Sequence, residues 1–105
     1  MSDVTENEIA EAVARILSAT VSGEASLAYL KRRVPDFVRL SASDLEESTT
    51  RKGEPLWEQR LRNIKSHYKT EGNFIAEGYL TAPSRGRLRV TEAGRQKYGP
   101  KNISP

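Results

Sequence analysis

Gln59, Arg62, Asn63, Ser66 and Lys69 recur at intervals that place them on one side of a helix, opposite a stripe of Trp57, Leu61, Ile64 and Tyr68. At about 100° per residue the polar set faces away from the apolar one. The residue types share a chemistry. Arginine presents a two-pronged donor suited to guanine, asparagine and glutamine match the donor–acceptor pair of adenine, and lysine and serine reach phosphates or bases. No carboxylate stands near the centre of this face; Glu58 lies on its edge. A second group follows in Arg85, Arg87 and Arg89, where strict alternation with Leu88 and Val90 sends the arginines to one side of a strand. Arg51 and Lys52 form a basic turn just ahead of the helix. A row of charges on one helix is usually just a solvated face. Two separate elements offering cations together form the footprint of a polyanion.

Other chemistries find little support. The chain has no cysteine, which removes disulfides, thiol catalysis and Cys-ligated zinc, and its single histidine, His67, offers no cluster for a metal. His67 flanks the apolar stripe and reads as structural, with a phosphate contact as the alternative. Trp57 lies within the stripe and reads as a core anchor rather than a base-stacking platform. The Glu46-Glu47 pair sits at a helix start, where acids favour the helix dipole. Gly86 and Gly94 match no phosphate-cradling pattern. With no nucleophile–base–orienter set in view, the expectation is a non-catalytic protein without cofactor or metal.

The charge is unevenly divided. Residues 1–50 carry five basic and nine acidic side chains, residues 51–105 twelve basic and five acidic, so halves of −4 and +7 lie behind the net +3. Such asymmetry directs the second half towards a polyanion. The chain opens on acidic, polar residues, unlike a secretory leader, and its apolar runs are too short to span a bilayer. A cytoplasmic protein with no membrane partner is expected.

The elements that position these residues follow from periodicity. Thr5-Glu6-Asn7-Glu8 fits a capping box, and Ile9, Val13, Ile16 and Leu17 follow at helical spacing, predicting a helix from Glu6 to Ala19. Glu24–Val34 predicts a second, with Leu27, Leu30 and Val34 inward, Lys31, Arg32 and Arg33 outward, and Pro35 stopping it. Phe37, Val38 and Leu40 read as a connector plugging the core. Ser43-Asp44-Leu45-Glu46 reads as another capping box, opening a short helix to about Thr49 with Leu45 in the core. The helix bearing the polar face runs from Pro55 to about Glu71, with Gly72 terminating it. Tyr79–Ala82 and Arg87–Thr91 predict a hairpin turning at Pro83–Gly86, and Thr91 caps a last helix to Tyr98. Phe74 and Ile75 are expected to be buried, whereas the conformation of 73–78 stays open.

Short helices followed by a helix running into a hairpin give the fold class: mainly α with a small β-hairpin, a winged helix-turn-helix. Residues 1–98 form the domain and 99–105 a flexible tail or linker. In this fold the helix before the hairpin (about 55–71) enters the DNA major groove and the hairpin (about 79–91) is the wing beside it. The sequence also resembles a known family. Leu56-Trp57-Glu58-Gln59-Arg60-Leu61-Arg62-Asn63, Ser66-His67, Glu71-Gly72-Asn73-Phe74-Ile75 and Gly86-Arg87-Leu88-Arg89-Val90-Thr91-Glu92-Ala93-Gly94 are similar to the Mrr-type N-terminal winged-helix domain. The resemblance spans Arg39–Tyr98, and it implies double-stranded DNA as partner in a prokaryotic restriction or defence system, often with a nuclease domain or subunit. Two other readings stay open. One is a winged-helix protein-interaction module using the acidic first half or the first helix; the other is the regulatory fragment of a nuclease.

Overall fold

Helix α1 (Glu6–Ser18) begins where its capping box predicts: Thr5 Oγ1 accepts from the Glu8 N–H at 3.0 Å, while Glu8 Oε1 accepts from the Thr5 N–H at 2.9 Å. The structure, a computed structural model, describes residues 3–48 and 51–100. Ile9, Val13, Ile16 and Leu17 are buried as expected, and Ala10, Ala12 and Ala14 join them. The alanines let neighbouring elements pack closely on both sides, so α1 becomes the central helix of the domain, against the helices Leu56–Ser66 and Glu92–Tyr98 and the sheet.

The second predicted helix divides into two elements. Glu24–Ser26 is strand β1, and only Leu27–Arg33 is helix α2. Gly23 turns the chain with φ +72°, and Ser26 Oγ caps α2 by accepting from the Tyr29 N–H at 3.1 Å. Strand β1 exists because the strand Arg87–Val90, some sixty residues later, pairs with it, aligning Ala25 with Leu88. Val34–Asp36 continues α2 as a single 3₁₀ turn around Pro35.

The connector departs from expectation. Val38 and Leu40 pack on the core, but Phe37 is exposed. The capping-box helix expected from Ser43 is one 3₁₀ turn, Ser43–Leu45, held not by Ser43 but by Ser41, whose Oγ accepts from the Asp44 N–H at 3.1 Å; Thr49, its expected end, lies outside the described residues. Leu45, expected in the core, is 57% exposed, and the neighbouring side chain that turns inward is Asp44, at 0%. Its carboxylate accepts from the N–H groups of Ser41 (2.8 Å) and Val4 (3.1 Å) and from Arg60 Nη1 (2.6 Å). Polar satisfaction of one carboxylate, not apolar periodicity, decides which way this turn faces.

Helix α3 (Leu56–Ser66) buries Trp57, Leu61 and Ile64. It stops at the His67 cap, well short of Glu71, which leaves Tyr68 half exposed. The physical cause is Asn73. Its buried Nδ2 donates to the Ile64 carbonyl at 2.9 Å, satisfying an oxygen the ended helix leaves open, while its Oδ1 accepts from Ile75 (2.7 Å) and Ala76 (3.1 Å). Residues 73–78 thus form turns held by one side chain. Phe74 is buried as expected and Ile75 half-buried.

Strands β2 (Leu80–Thr81) and β3 (Arg87–Val90) form the predicted hairpin, and the sheet order is β1-β3-β2, antiparallel throughout. Leu88 and Val90 point into the core. Helix α4 (Glu92–Tyr98) is capped by Thr91, whose Oγ1 accepts from the Gly94 N–H at 3.0 Å. A side chain on Gly94 would collide with the Tyr79 carbonyl oxygen, which explains the glycine in Thr91-Glu92-Ala93-Gly94. Of the tail expected from Gly99, residues 101–105 lie outside the described residues. The domain is mainly α with a small hairpin, its helices and strands in the order of a winged helix-turn-helix.

Candidate nucleic-acid interface

The outer face of α3 is more covered than a free helix surface. Gln59, Arg62 and Asn63 are all half-buried. Gln59 Oε1 accepts from Ser48 Oγ at 2.7 Å, and Arg62 donates twice to Glu54, Nε to Oε2 at 2.9 Å and Nη2 to Oε1 at 2.7 Å. Both partners belong to the segment before the helix, which the Glu47–Pro55 bridge and the Ser48 N–H to Glu54 carbonyl bond (2.6 Å) draw back against α3. A helical wheel places Gln59 and Arg62 outward correctly but cannot show what lies over them.

Glu54 itself is buried to 8% exposure. The hydrogen bonds from Arg62 hold its carboxyl below the usual glutamate range despite the opposing effect of burial, and Arg51 and Lys31 add to that through their charge. Arg62 is reciprocally raised by Glu54. The remaining flanks of α3 are also engaged: Glu58 lies 3.7 Å from Lys31 of α2, and Arg60 reaches Asp44.

The wing strand shows a comparable arrangement. Arg87 Nε donates to Glu24 Oε2 at 2.6 Å, and Arg89 Nη2 to Oε1 of the same carboxylate at 2.7 Å. The bonds from Arg87 and Arg89 hold the Glu24 carboxyl below its ordinary value. Strand pairing causes this, because Glu24 sits opposite Arg89 in the β1–β3 register.

Other predicted residues stand clear. Arg51, Lys52 and Arg85 are exposed and make no ion pair among the described residues, as is Ser66 at the end of α3. Lys69 lies beyond the helix, its Nζ 5.4 Å from the Tyr68 ring centroid. Sequence reasoning passed over Lys65, exposed on the last turn of α3, because the wheel sets it beside Glu58 on the flank. It also left aside the α2 cations. Arg32 and Arg33 lie over the Tyr29 ring, at 6.0 and 5.8 Å, and the Leu27 N–H donates to the Gly86 carbonyl of the wing turn at 2.9 Å. Helix α2 therefore joins the wing turn at one end and α3, through Lys31, at the other. His67 is tied to α1, with Nδ1 2.8 Å from Glu6 Oε1, and Trp57 is buried as a core anchor.

Among the described residues, no His, Asp or Glu side chains gather into a group able to hold a metal ion, and no helix is long and apolar enough to cross a membrane. Fold and surface together give a mainly α domain with a small hairpin, an arrangement compatible with a winged helix, with basic groups spread over α2, α3 and the hairpin. The chain belongs to the family of Mrr N-terminal domains, whose family model matches residues 9–98. The match includes α1 from Ile9 onward, β1 and α2, which precede the stretch where the sequence resemblance is visible. No curated protein and no solved structure matches the chain.

Proposed function

We propose that this domain binds duplex DNA, acting as the non-catalytic recognition module of a prokaryotic restriction or defence system. It would work in the cytoplasm with a nuclease domain or subunit, residues 1–98 forming the module and 99–105 the tail or linker. Membership of the Mrr N-terminal domain family supports the restriction setting. The observation that carries the DNA reading is the set of exposed cations around the α2–α3 unit that make no ion pair among the described residues: Arg51 and Lys52 before α3, Lys65 and Lys69 at its end, and Arg85 at the wing turn. Their charge suits phosphates, which position a protein on DNA without reading sequence. Asn63 and Ser66 are the base-reading candidates with the fewest competing contacts. Gln59, Arg62, Arg87 and Arg89 join them when the duplex displaces Ser48, Glu54 and Glu24.

The protein-interaction reading is weaker, since α1 is packed between α3 and α4 and offers a partner little free face. Fluorescence anisotropy of a labelled duplex at about 50 and about 200 mM salt tests the proposal. Three phosphate contacts from Arg51, Lys52 and Arg85 give a log–log slope near −2.7, steepening to about −4.5 if Lys65 and Lys69 also reach phosphates. A slope near zero would replace DNA by a protein partner.

A further inference from the structure

Two carboxylates stand among the cations proposed to meet DNA. Glu24 accepts from both Arg87 and Arg89, and Glu54 accepts twice from Arg62, so three of the ten expected contact residues are already paired with a carboxylate within the protein. In each case the acid lies deeper than its base. Glu24 is 19% exposed against 42% for Arg87 and 52% for Arg89, and Glu54 is 8% exposed against 23% for Arg62. An approaching phosphate meets the arginines first, yet the negative charge behind them subtracts from their attraction. Arg51 and Lys31 also lie near enough to Glu54 to act on its charge.

Resting on the DNA-binding reading, we infer that Glu24 and Glu54 are specificity-determining residues, internal counter-charges that hold down attraction to DNA of arbitrary sequence. Arg62 and Arg89 each commit Nε and Nη2, the two-pronged edge that would otherwise grip a phosphate or guanine. A lone phosphate offers these groups no more than the carboxylate already gives. Only a site that supplies base acceptors together with well-placed phosphates compensates for separating the pairs. The carboxylates therefore penalise arbitrary duplex more than the preferred one, in the way repulsive elements sharpen other interfaces.

The experiment compares wild type, Glu24→Gln and Glu54→Gln on a random-sequence duplex and on a preferred duplex obtained by random-pool selection across a salt series, with thermal melts of each protein. The amide keeps the shape and removes the charge. If one further phosphate contact is gained, affinity for the random duplex rises about eightfold near 0.1 M salt and its slope steepens by about 0.9, while the preferred duplex gains less; an equal gain on both overturns the specificity role. Glu24→Gln decides the matter should Glu54→Gln loosen the segment before α3, because the Glu24 carboxylate sits on a surface strand. Unchanged or weaker binding by a folded Glu24→Gln, where wild type binds, overturns the counter-charge inference and leaves DNA binding standing. Failure of both proteins to bind at about 50 mM salt overturns the DNA reading and this inference with it.

Discussion

Asp44 and Arg60 are joined at 2.6 Å, a fully buried carboxylate on the connector holding the guanidinium of the helix that carries the candidate site. The same carboxylate collects the Val4 and Ser41 N–H groups, so the chain start, the connector and α3 meet at one residue. Burial pushes the Asp44 carboxyl up, but the donors of Ser41, Val4 and Arg60 outweigh it and hold the carboxyl below the usual aspartate range. A depressed folded-state value means that the unfolded chain binds the proton more readily. The contribution is therefore present above the ordinary aspartate pKa of about 3.9 and is lost as pH falls through the lower folded value. Asp44→Ala strands Arg60 and two backbone donors, and urea unfolding at neutral pH should show a loss of about 3–5 kcal/mol. The difference between the two proteins should narrow as the solution is acidified; a difference that holds constant with pH would assign the loss to packing alone.

Leu61 and Tyr68 share the apolar stripe of the sequence, yet one is wholly buried and the other half exposed. Leu61→Ala should cost about 2–5 kcal/mol by cavity formation, whereas Tyr68→Ala should stay within about 0.5 kcal/mol. Thermal or chemical denaturation of the pair checks this, and equal losses would mean that α3 continues past His67 with Tyr68 packed inside.

Arg85 and Arg62 should fail differently on DNA. Arg85 stands exposed at the wing turn, so Arg85→Ala should weaken all duplexes by a similar factor and make the salt slope shallower by about one unit. Arg62→Ala should cost about 1–3 kcal/mol on a preferred site obtained by random-pool selection and much less on arbitrary duplex. It also leaves the Glu54 carboxylate without its bidentate partner, so stability must be measured alongside affinity. Equal weakening of both duplex types by both substitutions would reduce α3 to a charged surface without base reading.

The sequence alone determined whatever depends on residues close together in the chain. The capping box at Thr5, the apolar stripe of α1, the Trp57–Leu61–Ile64 face and the alternation of Arg87–Val90 each need only a period and a local cap. These were enough to establish the fold class, the order of helix and hairpin, and the basic character of the second half. Tertiary structure decided what depends on distant partners. Glu24–Ser26 is a strand because β3 pairs with it, Asp44 rather than Leu45 turns inward because Arg60 and two N–H groups meet it, and α3 stops at His67 because Asn73 supplies its capping donor. Gln59, Arg62, Arg87 and Arg89 are correct in direction on a helical wheel or a strand, but their engagement by Ser48, Glu54 and Glu24 is set by chain return and strand register. Periodicity reports which way a side chain points; only the packed chain supplies the group that waits there.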